Sequence, residues 1–156
     1  MGYLSKGYYI ICSSPVFSFI LYLVLTSLFW RTNIDWLYQI MLFTGMQILV
    51  IGVQVCGIVL CLVGYRRNES ISSYIFLNIL LITWGSLVVL WAMGWYLDLV
   101  RWSNLPDVRN LTIWDYMQYL TWALKGVIWI VSGLVFTVMS IWRKIKTDSP
   151  THVTDD

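Results

Sequence analysis

The sequence predicts an all-α fold, a four-span transmembrane helical bundle, on three observations. Hydrophobic residues make up 59% of the 156 residues and charged ones only 12%, against about 45–50% and 25% in a soluble domain. Every Asp, Glu, Lys and Arg except Lys125 lies outside four apolar runs at 7–30, 36–65, 70–97 and 116–142. Each run exceeds the ~20 residues that a helix rising ~1.5 Å per residue needs to cross a ~30 Å hydrocarbon core. A membrane barrel would instead show alternating segments of ~10 residues. Lipid offers backbone amides no partner, so unbroken runs of this length must satisfy themselves as helix.

Taken in order, the spans are expected at 8–30, 40–64, 74–97 and 119–142. The first is read as a retained signal-anchor. Its apolar stretch is far longer than the usual ~7–15-residue signal core, and no A-x-A-like cleavage site precedes Arg31. The N-terminus also misses the myristoylation pattern, because Lys6 stands where Ser or Thr is required. Residues 1–142 therefore form the membrane domain, and 143–156 are expected as a short, disordered, basic and polar tail.

Loop charges set the expected orientation. Lys6, Arg66, Arg67, Arg143, Lys144 and Lys146 share one side, and Arg31, Arg101 and Arg109 the other. The excess places both termini and the 65–73 connection in the cytoplasm, N-in and C-in, in the plasma membrane or an endomembrane. In that topology Asn110-Leu111-Thr112 faces outward as an optional glycosylation site, whereas Asn68-Glu69-Ser70 faces the cytosol. The 98–115 segment is the one external loop of any size. Trp95, Tyr96, Trp102, Trp114, Tyr116 and Tyr119 around it suit an interfacial aromatic belt.

Small residues recur at intervals of seven. Gly45 and Gly52, and Gly57 and Gly64, do so in span two; Asn78, Gly85 and Ala92 in span three; Gly126, Gly133 and Ser140 in span four. Seven residues is two turns, so each set forms a stripe, and small stripes let backbones approach where lipid supplies no hydrophobic drive. Spans two, three and four are expected to meet along these seams. Gln47 and Gln54 share a stripe with Cys61. Gln54 and Asn78 are expected to hydrogen-bond across the bundle, with a polar path lined by Gln47, Gln54 and Asn78 as the alternative.

Lys125 stands alone as a charge inside a span, about two turns from the external end. Such a residue is a functional candidate by default. Snorkelling toward the headgroups is the first expectation, an ion pair with Asp98 or Asp115 the second, and contact with a ligand or ion the third.

Little else carries chemistry. Cys12, Cys56 and Cys61 lie in or beside spans with no metal-ligand spacing, and Cys12 and Cys61 are near enough to the boundary for palmitoylation. The single His152 sits in the tail. No phosphate loop, HExxH or G-x-S-x-G is present, so neither an enzyme nor a cofactor is expected. Claudins, tetraspanins and connexin-type channels all need external cysteines, and the external loops here have none.

Cys12 and Pro15 at the start of span one, and the 76–91 stretch with its Trp84-Gly85 pair, resemble the uncharacterised small four-span animal proteins called transmembrane protein 272-like. That resemblance implies the four-span layout and brings no activity or site residues with it. The expected function is that of a non-enzymatic accessory, scaffolding or assembling subunit. Its partners are the lipid bilayer and other membrane proteins or further copies, with no nucleic acid. A small oligomeric channel or transporter is the alternative.

Overall fold

A computed structural model of the chain describes residues 2–32, 34–103 and 112–148. Four helices account for them: α1 (Tyr3–Arg31), α2 (Trp36–Arg66), α3 (Ile75–Ser103) and α4 (Ile113–Asp148). Each is long and apolar enough to cross a membrane. Large apolar side chains such as Phe19, Ile48, Leu90 and Val131 lie on the outer surface. That is the arrangement expected where the solvent is hydrocarbon.

The helices outrun the predicted spans because hydrogen bonding does not stop where the hydrocarbon does. α3 continues through Asp98 and Arg101 to Ser103, so part of the expected 98–115 loop is helical. α4 begins at Ile113, where the Asp115 carboxylate caps the Thr112 amide as one half of a capping box does. The Thr112 amide and hydroxyl each donate to the Asp115 carboxylate at 2.8 Å, and the Asp115 amide donates back to the Thr112 carbonyl at 3.1 Å. At its far end α4 passes Trp142 and runs to Asp148, which corrects the expectation of a disordered tail from residue 143. Asn110, Ser149, Pro150 and His152 lie outside the described residues.

One end of the bundle ties three segments together. α2 closes with Asn68 at φ 53°, in the left-handed region that Asn tolerates, and the Glu69 amide reaches back to the Gly64 carbonyl at 3.1 Å. This turn aims the Glu69 carboxylate at the start of α1, where it accepts from the Leu4 amide at 2.9 Å. An anion at a helix N-terminus satisfies an orphan donor and opposes the macrodipole. Arg143 donates to the Ile71 carbonyl at 2.6 Å. The N-terminus, the α2–α3 connection and the end of α4 thus share one side, as the loop charges require. Glu69→Ala is expected to cost about 0.5–2 kcal/mol, as loss of a cap does, and unfolding in mixed micelles checks it.

Around the bundle the order is α1, α2, α4, α3, with α1–α4 and α2–α3 as diagonals. The α1–α2 and α3–α4 edges are made closest. A Cβ on Gly7 would lie 2.5 Å from the Gly57 carbonyl oxygen, and one on Gly85 2.6 Å from that of Gly126. Gly64 abuts Leu4, and Gly133 sits against the Asn78 carbonyl. The sequence expectation needs two corrections here. Gly57 and Gly64 face α1, not α3 or α4. Gly45 and Gly52 have nothing within 4 Å of a Cβ and pack against no neighbour. Five residues separate Gly52 from Gly57, which turns the stripe about 140° around the helix and onto the outer face. Ala92 is buried, and the Ser140 hydroxyl meets that of Ser73 while donating to the Phe136 carbonyl.

Candidate functional site

The fourth edge, α1–α3, is only lightly closed. Two grooves open there, of about 470 Å³ and 670 Å³. Both are bordered by Phe19 of α1 and Trp84 of α3. The larger groove is walled at its inner side by Trp122 and Lys125 of α4, the helix diagonally opposite α1. The gap therefore leads to the polar centre of the bundle.

That centre is assembled from the backbone outward. Pro15 has no amide hydrogen, so the Ile11 carbonyl loses its usual helical donor. The Ser14 hydroxyl takes the place and donates to Ile11 at 2.8 Å. Its oxygen then accepts the Trp129 indole N–H at 2.7 Å. One turn later on α1, Ser18 accepts from Lys125 Nζ at 2.9 Å. Gln47 of α2 accepts from the same ammonium through Oε1. Gln54, two turns further along α2, donates to the Lys125 backbone carbonyl at 3.3 Å. Lys125, Gln47, Gln54, Trp129 and Ser14 have no exposed surface.

Lys125 thus neither snorkels nor forms the expected ion pair. Its Nζ is held sideways by Ser18 and Gln47, and it lies 3.6 Å from the centre of the Trp122 ring and 5.4 Å from that of Trp129. These partners are all neutral. Asp115 lies ten residues earlier on the same helix, about 15 Å away along its axis, and is engaged with Thr112. A charge near the bilayer centre costs about 2.5–3.5 kcal/mol on the insertion scale. Hydrogen bonds to a charged group return about 1.5–3 kcal/mol and a desolvated cation–π contact up to about 2 kcal/mol. With two such bonds, to Ser18 and Gln47, these returns cover that cost, and the charge stands without a counter-ion among the described residues.

Several buried atoms around it have no hydrogen-bond partner among the described residues: Thr44 Oγ1, Gln47 Nε2, Gln54 Oε1 and Trp122 Nε1. Asn78, by contrast, belongs elsewhere. It sits beside Gly133, eight residues and about 12 Å along α4 from Lys125. There the Tyr8 hydroxyl accepts from the Tyr74 amide at 3.0 Å and lies 3.2 Å from Asn78 Oδ1. The four polar candidates therefore form one cluster of three and one separate tie. Cys12 borders the smaller groove, whereas Cys61 packs against Gly7 and donates to the Leu4 carbonyl at 3.8 Å.

Spacing in the sequence marks two of the four further residues of this site, Ser14 and Trp129, and leaves Ser18 and Trp122 unmarked. Gly7 and Ser14 stand seven apart, as in the other spans, and Thr121, Lys125, Trp129, Ser132 and Phe136 follow a four-four-three-four spacing on one face. No family model, curated protein or solved structure matches the chain.

Proposed function

We propose that this is a non-enzymatic multi-pass membrane protein that serves as an accessory or assembling subunit of a membrane complex, with both termini in the cytoplasm. The observation that carries the reading is Lys125, a buried cation whose partners among the described residues are all neutral, placed beside the one edge of the bundle that is only lightly closed. An apolar side chain of similar volume would fill that position at no electrostatic cost. A charge the fold does not need points to a contact outside it. The rest of the polar cluster extends over only two turns of α2, from Gln47 to Gln54, about 10 Å against the ~30 Å a pore must cross, which gives a pore through a single copy no support. The likeness to the transmembrane protein 272-like proteins enters as a proposed kinship that rests on Cys12, Pro15 and the 76–91 stretch with its Trp84-Gly85 pair.

Affinity purification from native membranes in mild detergent tests the reading. The chain is expected to emerge with other membrane proteins in fixed proportion. A strictly monomeric, partner-free species contradicts it.

A further inference from the structure

We propose that the groove between α1 and α3 receives a transmembrane helix of another protein, and that an Asp or Glu within that helix pairs with Lys125. The inference rests on the assembling-subunit reading and names the chemistry of the partner.

Shape is the first argument. The two grooves follow one another along α3 from Leu77 to Trp91, a length of about 21 Å or four helical turns. Their walls are almost wholly apolar, and Phe19, Trp84 and Leu87 among them are exposed. A helix laid along this edge would cover them and complete the weakest side of the bundle.

Charge selects the occupant. An ammonium has three donors. Lys125 gives two of them, to Ser18 and Gln47, and the third has only the face of the Trp122 ring. Trp122 also borders the groove, and its indole N–H is buried with no acceptor among the described residues. Lys125 itself has no exposed surface, so a carboxylate in the groove meets Nζ once the Trp122 ring over its third donor turns aside, and the indole N–H is then a second donor. A second copy of this chain cannot supply one, because none of the four apolar runs contains Asp or Glu. A lipid headgroup fits poorly as well. Nζ is held between Ser18, twelve residues from the outer end of the 8–30 span, and Gln47, seven from that of the 40–64 span, which sets it about 10–18 Å inside the hydrocarbon layer. A carboxylate carried on a crossing helix reaches that depth.

The test uses synthetic polyleucine transmembrane peptides with a central Asp, Asn or Leu, labelled with an energy-transfer acceptor. They are reconstituted in phosphatidylcholine vesicles with the full chain, donor-labelled at its C-terminus. The Asp peptide is expected to associate about tenfold or more tightly than the Asn and Leu peptides, as a desolvated charge pair does. Lys125→Met should abolish that preference, and Leu87→Trp, which fills the groove from an exposed position, should weaken association with the lysine intact. Helix content by circular dichroism verifies that both variants fold. Equal association of the Asp and Asn peptides overturns the proposal, as does an Asp preference that survives Lys125→Met or an association that Leu87→Trp leaves unchanged. Loss of the preference in phosphatidylglycerol vesicles also overturns it, because the groove would then hold anionic lipid. No native partner enters this assay. A complex that forms equally well with Lys125→Met sinks the pairing while leaving the assembling role standing.

Discussion

Leucine at Gly85 or Gly126 is expected to separate α3 from α4 and to remove most of the stability of that half of the bundle. A Cβ on Gly85 already falls 2.6 Å from the Gly126 carbonyl oxygen, and a Cβ on Gly126 falls 2.8 Å from that of Gly85. The obstruction is backbone on both sides, so no rotamer change relieves it. Overpacking of a well-fitted core costs about 1–3 kcal/mol, and a backbone clash belongs at or above the top of that range. The same change at Gly45 or Gly52 is expected to stay within about 0.5 kcal/mol, as for exposed positions, because nothing lies within 4 Å of a Cβ there. Unfolding in mixed micelles followed by tryptophan fluorescence separates the two pairs. Equal effects at all four positions would contradict the packing described here.

The second large effect is an asymmetry at the polar centre. Gln47→Leu takes an acceptor from a buried cation and is expected to cost about 1.5–3 kcal/mol, the worth of a hydrogen bond to a charged group. Lys125→Met removes the charge itself, a gain of about 2.5–3.5 kcal/mol on the insertion scale. It also leaves the Gln47 carbonyl and the Ser18 hydroxyl oxygen without their donor, a loss of about 1–3 kcal/mol each. The two losses together offset the gain or slightly exceed it. The double variant Lys125→Met with Gln47→Leu has neither the charge nor the Gln47 orphan, and it is expected to be at least as stable as the native chain. Strict additivity of the two single changes, measured as a double-mutant cycle, would show that the two side chains do not interact.

Much of the architecture is legible in the sequence because the rule behind it is local. An apolar run longer than the bilayer is thick becomes a helix whatever its neighbours are, and so the four helices follow directly. The helix ends were less legible from hydropathy, although Thr112 and Asp115 carry a capping-box spacing that reads α4 back to Ile113. Rotation about each helix axis is where the sequence reading thinned. Seven-residue spacing identifies stripes, but Gly45 and Gly57 lie on different stripes of one helix, and spacing alone does not say which faces a partner. For Lys125, distance from the span end was readable and direction was not. Its direction follows from Ser18 and Gln47 on two other helices, a relation between helices that no single span displays.

The most direct test of the account compares the native chain with Lys125→Met in the membranes where it is expressed, by size of the detergent-extracted species. The native chain is expected to migrate as a complex with another membrane protein, and the variant, still folded and inserted, as a smaller species without it. Identical migration of the two, either both free or both assembled, would contradict the claim that Lys125 is kept for a partner.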